Sequence, residues 1–216
     1  GVVAVVRPPA SGADPALEAL LGEWLETKGL PPLGFLTTPW LLADLRDRRL
    51  VVAEQGGRMV GFLVLTPIPD RAGWLVEQIV RGRHAPNGTT EVLVDRAFRW
   101  IAGQGGRYVT LGLAPLAPLP ADGTARGPWW LTWSLRWLRA HGRRFYNFEG
   151  LYNFKAKLGP AGWDPVYAIA DEARLSLRTM LGVSEAVVGG DLVGFGARFF
   201  SHALRAEVRR MTTGAH

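Results

Sequence analysis

Ala85-Pro86-Asn87-Gly88-Thr89-Thr90 stands directly before a strongly amphipathic stretch, and the reading of this turn decides what surrounds it. A rigid Pro, an Asn suited to capping and a Gly predict entry into a helix that runs to about Gly103 and buries Val92, Leu93, Ala97, Phe98 and Ile101. The first amides of such a helix have no partner within it, and the helix dipole is positive there. The turn is therefore built to hold either a cap or an anion. Asn-Gly before a helix is commonly no more than turn and cap, so both readings stay open on this stretch alone.

Upstream, Leu17, Leu20, Leu21, Trp24 and Leu25 repeat at helical spacing, predicting a helix from Asp14 to Lys28 with Asp14 as cap, and a second short helix follows from Pro39 to Arg48. Leu50 to Glu54 and Met59 to Thr66 read as strands joined by the hairpin signal Gln55-Gly56-Gly57-Arg58, and Trp74 to Val80 as a third strand. Downstream come a strand from Tyr108 to Leu113, a Pro/Gly/Ala loop to Gly127, helices from Pro128 to His141 and Phe148 to Leu158, and a strand from Trp163 to Ala170. This order, ααβββαβααβ, is not that of a doubly wound nucleotide-binding fold. It resembles the N-acetyltransferase (GNAT) fold: α+β, a mixed sheet that splays open, flanked by helices, with the helix after the central strand turning its N-terminus toward the donor's phosphates. The expected organisation is a lobe over 1–170 followed by an amphipathic helical tail over 171–216.

Composition narrows the function. The chain has 216 residues, 48% of them hydrophobic, enough for a substantial core. A net charge of +6, carried largely by Arg, suits phosphate-bearing partners such as tRNA or an anionic lipid surface, although a moderately basic, Arg-rich composition also arises without any such partner. With no Cys there is no disulfide framework, thiolate metal site or Cys nucleophile, and the four His lack metal-ligand spacing. No metal and no cofactor is expected. No apolar run approaches the roughly 20 residues of a membrane span, and Gly1 to Val6 lacks the layout of a signal peptide. The chain reads as cytosolic, and as a piece of something longer.

Ala85-Pro86-Asn87-Gly88-Thr89, Phe98-Arg99-Trp100, Leu111-Gly112-Leu113-Ala114-Pro115-Leu116, Gly150-Leu151-Tyr152-Asn153-Phe154-Lys155-Ala156-Lys157 and Trp163-Asp164-Pro165-Val166-Tyr167 occur in this order. Together they resemble the C-terminal cytosolic domain of phosphatidylglycerol lysyltransferases, or aminoacyl-phosphatidylglycerol synthases, over roughly Leu17 to Ala170. The resemblance implies transfer of an amino acid from aminoacyl-tRNA to a hydroxyl of phosphatidylglycerol, by the second of two tandem acetyltransferase-like lobes. The family's pattern has Asp where Glu77 stands, Arg near Val80 and Asp at His84; the first difference keeps the carboxylate and the other two change charge. The two rival readings are an acyl-CoA-dependent N-acyltransferase on the same fold and a non-catalytic module for anionic lipid or nucleic acid.

Ester-to-ester transfer requires two oxygens to be positioned, one proton removed and one oxyanion stabilised. Glu77 is the candidate base, or else a solvated strand residue or an ion-pair partner of Arg81 or Arg83. Arg81, Asn87, Gly88 and Thr89 are candidates for holding a phosphate or the oxyanion. Lys155 and Lys157 are candidates for binding an anion or for favouring a helix C-terminus, whereas Glu91 and Asp95 read as a solvated face. Trp129, Trp133 and Arg136 are lipid-facing candidates on a helix that is apolar on two sides, with tRNA-base stacking and ordinary core packing as alternatives. In the tail, Asp191 to Arg210 sorts into an apolar and a cationic face, which suits either a headgroup plane or docking on protein. The expected partners are aminoacyl-tRNA, anionic phospholipid met peripherally at the inner face of the cell membrane, and either a second copy of the chain or a separate first lobe.

Overall fold

The β2–β3 hairpin sets the register of the sheet. In the computed structural model, Gln55 faces Arg58 across a two-residue turn in which Gly56 (φ 56°) and Gly57 (φ 77°) both occupy the left-handed region. Only such a turn matches the twist of adjacent antiparallel strands, which is why two glycines stand there. The structure describes residues 1–8, 14–27, 42, 45–115, 117, 133, 147–167, 176, 178–179, 181–182 and 185. The chain divides into two units, Gly1–Leu111 with Ser184–His216, and Gly112–Val183. The expected lobe boundary at 170 and the tail helix from Asp191 to Arg210 lie outside the described residues.

In the first unit, strands β1 (Val3–Arg7), β2 (Arg49–Gln55), β3 (Arg58–Ile68), β4 (Gly73–Arg81) and β5 (Tyr108–Thr110) form one sheet in the order β1-β2-β3-β4-β5. The first four are antiparallel, and β5 joins β4 in parallel through a crossover helix, α2 (Thr89–Gly103). This is the expected α+β, acetyltransferase-like mixed sheet. β1 is an addition to the sequence reading. It pairs with residues more than forty positions away and carries an Arg7–Glu54 ion pair of 2.6 Å.

Each face of the sheet buries one helix. Helix α1 (Pro15–Thr27) begins as predicted, with Asp14 Oδ1 accepting from the Ala16 amide at 2.9 Å. It packs Leu17, Leu20 and Leu21 with Leu42 and Leu45 on Leu50, Val52, Phe62, Val64 and Val80. α2 packs over β1 to β4 and buries Leu93, Val94, Ala97 and Ile101. A fully buried aliphatic or Phe side chain contributes about 1.5–3 kcal/mol, so these two apolar layers dominate the stability of the unit. The helix rotation differs from the expected one: Val94 is buried and Phe98 half-buried, while Val92 is 38% exposed because it falls beside the polar stripe of Glu91, Asp95 and Arg99. The end of the short helix expected at Pro39 to Arg48 is instead a turn at Arg46-Asp47, closed by the Arg48 amide on the Leu45 carbonyl at 3.0 Å.

β4 and β5 pair only through Gly73, Trp74 and Leu75 with Tyr108, Val109 and Thr110. From Val76 onward, β4 has no strand on that side among the described residues, which is the splay expected of this fold. Gly73 permits the close pairing, since a Cβ there would lie 2.5 Å from the Tyr108 carbonyl oxygen. β5 ends earlier than expected, and Gly112 just beyond it has φ 70°.

In the second unit, helix α3 (Phe148–Lys157) starts at Asn147, whose Oδ1 accepts from the Gly150 amide at 2.9 Å. It ends before Gly159 (φ 64°), which supplies the left-handed residue that stops helices. The strand expected from Trp163 to Ala170 is not formed over its described part, 163–167, where the chain is exposed and pairs with no strand among the described residues. Pro165 removes a ladder donor in the middle of this run. Trp163 packs instead on Tyr152, ring centroids 4.8 Å apart.

Candidate active site

A bulge in β4 organises the polar residues of the first unit. The register runs Val64↔Gln78 and then Leu65↔Val76, so Glu77 is the extra residue with no partner opposite. Bulges re-aim side chains and are frequent beside active sites. Here the bulge brings the Glu77 carboxylate to Thr66 and Arg48. Thr66 Oγ1 donates a short hydrogen bond to Glu77 Oε2, and Arg48 Nε lies 3.2 Å from both that oxygen and Thr66 Oγ1. Glu77 and Arg48 are each 27% exposed, so the pair is partly shielded yet open to solvent. Among the described residues, both side-chain contacts fall on one carboxylate oxygen, Oε2. The carboxylate stands at the first part of β4 that β5 leaves uncovered.

The expected ion-pair partners of Glu77 were Arg81 or Arg83, and the structure replaces them with Arg48. Arg83 instead turns to α1, its amide donating to Glu23 Oε1 at 2.7 Å and its guanidinium reaching Glu26 at 3.5 Å. Arg48 escaped the sequence reading. Its signal was the basic run Arg46-Asp47-Arg48-Arg49 immediately before a strand.

Arg81, Asn87 and Gly88 come together, all exposed, where β4 passes into α2; Arg81 Nη1 donates to Asn87 Oδ1 at 3.5 Å. Asn87 is not the cap of α2. Gly88 is, in the left-handed conformation (φ 88°), and no side chain caps the helix. Thr89 is 1% exposed, and its hydroxyl donates inward to the Pro86 carbonyl at 2.7 Å. That threonine closes the turn, while Asn87, Gly88 and Arg81 face outward. Along β4, Glu77 and Arg81 are four residues apart, ~13 Å at the rise of a strand. Asp95 is paired with Arg99 at 2.8 Å on the exposed face of α2, and the Arg99 hydrogen bond holds its carboxyl below the usual range. It belongs to a solvated face, as expected.

Next to Glu77, Gln78 is only 6% exposed, and neither atom of its amide has a hydrogen-bond partner among the described residues. It shares the α1-facing layer with its cross-strand partner Val64.

The second unit holds Lys155, Lys157 and Trp133. Lys155 is 7% exposed and donates to the carbonyls of Leu113 at 2.8 Å and Gly112 at 3.1 Å. Burial lowers its pKa from 10.5 to about 8. Its amine thus pins α3 to the segment after β5. Lys157, one residue past the buried face, is exposed, and Trp133 is 64% exposed. Trp129 and Arg136 lie outside the described residues. No described helix is long and apolar enough to cross a membrane.

A splayed mixed sheet, a bulged inner strand carrying a carboxylate and a helix start with no side-chain cap define an acetyltransferase-like domain. Residues 1–170 match the family described as Phosphatidylglycerol lysyltransferase, C-terminal, and the chain belongs to that family. It is 30% identical over 164 residues to the phosphatidylglycerol lysyltransferase of Bacillus subtilis (strain 168), a match covering 72% of this chain and 18% of that protein. The chain therefore spans less than a fifth of that relative's length. Among solved structures, L-PGS from Bacillus licheniformis is similar at 24% identity and a TM-score of 0.53, covering 74% of this chain and 48% of that one. The C-terminal DUF2156 domain of an Agrobacterium fabrum protein is similar at 20% identity and a TM-score of 0.61, covering 88% and 55%. These two share the fold.

Proposed function

We propose that the chain transfers an amino acid from aminoacyl-tRNA to a glycerol hydroxyl of phosphatidylglycerol, or of a similar anionic lipid, at the cytosolic face of a membrane. Family membership supports the lipid aminoacyltransferase class, and the observation that carries the reading to a site is Glu77 at the β4 bulge, held by Thr66 and Arg48 beside the splay. Glu77 accepts the proton of the acceptor hydroxyl, whose oxygen attacks the ester carbonyl of the donor. The tetrahedral oxyanion collapses, the bond to the tRNA ribose oxygen breaks, and that oxygen takes a proton as it leaves. Ester is exchanged for ester, so the protein supplies positioning and electrostatics in place of driving force.

Arg81, Asn87 and the start of α2 bind a phosphate of one substrate, with the helix dipole adding to the arginine's charge. Taken by itself, the second unit offers Lys157 for an anion and Trp133 for lipid, while Lys155 acts by holding that unit together. The decisive experiment supplies radiolabelled aminoacyl-tRNA and phosphatidylglycerol vesicles, with acetyl-CoA in a parallel reaction. Label in a chloroform-soluble product supports the reading; acetyl transfer alone, or vesicle binding without turnover, replaces it.

A further inference from the structure

Arg46, Asp47, Arg49, Pro67, Pro69 and Trp74 line an open cleft of about 530 Å³ at the end of the sheet remote from Arg81. Trp74 stands seven residues before Arg81 on β4, ~23 Å away at the rise of a strand. Its indole meets that of Trp100 edge-on at 5.2 Å and 71°, and the Arg49 guanidinium lies 6.0 Å over the Trp100 ring. These contacts fix an aromatic wall with a cation beside it.

This cleft is separate from the Glu77 site. Glu77 is held by Thr66, whereas Trp74 lies across from Pro67. Consecutive strand residues point to opposite faces, so the two sites use opposite sides of the sheet.

The chemistry selects among ligands. Two arginines take a phosphate, and an indole takes the flat face of a base. Asp47 would repel a ligand that offered only phosphate, yet it accepts well from a ribose 2′-hydroxyl or an exocyclic amine. All three features together fit a ribonucleotide better than a lipid headgroup. We propose that this cleft binds one nucleotide of a single-stranded RNA segment, its base on Trp74 and its phosphate at Arg46 and Arg49. The inference rests on the proposed RNA-borne donor and gives that donor a second anchoring point, away from the reacting ester.

The test is fluorescence anisotropy of a 5′-labelled single-stranded RNA ten-mer with the full chain. Arg46→Glu and Trp74→Leu should each weaken binding about tenfold or more, the scale of a lost phosphate contact or base stack. Arg46→Glu should also lower the salt dependence of binding by about one ion or more, which Trp74→Leu should not. Arg58→Glu, on the hairpin at the opposite end of β2 and β3, is the charge-matched control and should change affinity less than about twofold. Cleft variants indistinguishable from Arg58→Glu overturn the proposal. So does loss of phosphatidylglycerol-vesicle binding in Arg46→Glu while RNA binding persists. Transfer is measured separately on the same proteins. Unchanged KM for aminoacyl-tRNA in Arg46→Glu refutes the cleft and keeps the transferase; cleft-dependent RNA binding without any transfer does the reverse.

Discussion

Replacing Lys155 by Met should change how stability depends on pH more than it changes stability near neutral pH. The amine is 7% exposed, and burial moves its pKa from 10.5 to about 8. A folded-state value below the unfolded one means that between the two the unfolded chain binds more protons, so stability rises with pH across that window. About 2.5 pKa units at 1.36 kcal/mol each give a gain of about 3 kcal/mol between pH 8 and 10.5. Below pH 8 the charged amine costs that amount and recovers part of it through two charge-assisted bonds to Gly112 and Leu113. Met removes both effects, so its net change near neutrality is small, whereas its pH slope loses the contribution of this group. Urea denaturation of both proteins at pH 7.5, 9 and 10.5 measures the difference. The wild type should gain on the variant by about 3 kcal/mol, on the order of 6–12 °C in Tm for a chain of this size. Parallel stability curves would refute the burial argument.

The start of α2 yields a paired prediction. Gly88→Ala should lower stability by about 1 kcal/mol or more, since φ 88° strains any L side chain even though nothing within 4 Å obstructs a Cβ. Asn87→Ala should stay within about 0.5 kcal/mol, because Asn87 does not cap the helix, while binding of anionic vesicles or tRNA weakens. Gly73→Ala should cost about 2 kcal/mol or more and loosen β5, visible as faster amide exchange at Val109 and Thr110, because the new methyl would stand 2.5 Å from the Tyr108 carbonyl. Gln78→Met should raise stability by about 1–3 kcal/mol in thermal or chemical denaturation, as it removes a buried amide with no hydrogen-bond partner among the described residues.

Local signals carried most of the framework. The hairpin at Gly56-Gly57, the cap at Asp14 and the apolar spacing of α1 each act within a few residues and stand where the sequence placed them, and α2 stands in its expected place but is turned to bury Val94 in place of Val92. β1 did not announce itself, because Val3 and Val5 lie on an exposed edge and the strand is defined by distant pairing with β2. The partner of Glu77 was hidden for a related reason. A one-residue bulge reverses which neighbours a side chain meets, and it exists only in the register between β3 and β4. Lys155 read as an anion ligand or as a charge favouring a helix C-terminus. Its burial depends on carbonyls more than forty positions earlier in the chain, which spacing alone does not reveal. At the turn before α2 the sequence identified the right residues but exchanged the roles of Asn87 and Gly88, since a glycine in the left-handed region can start the helix without a side-chain cap. The Arg/Trp cleft collects residues from β2, β3 and β4 that no linear motif joins.

The most direct measurement is the rate of aminoacyl transfer from labelled aminoacyl-tRNA to phosphatidylglycerol vesicles by wild-type protein and Glu77→Gln, with vesicle binding followed in the same samples. The account predicts a loss of about 100-fold or more in rate, the range of a general base, with vesicle binding retained. Undiminished turnover by Glu77→Gln would contradict it.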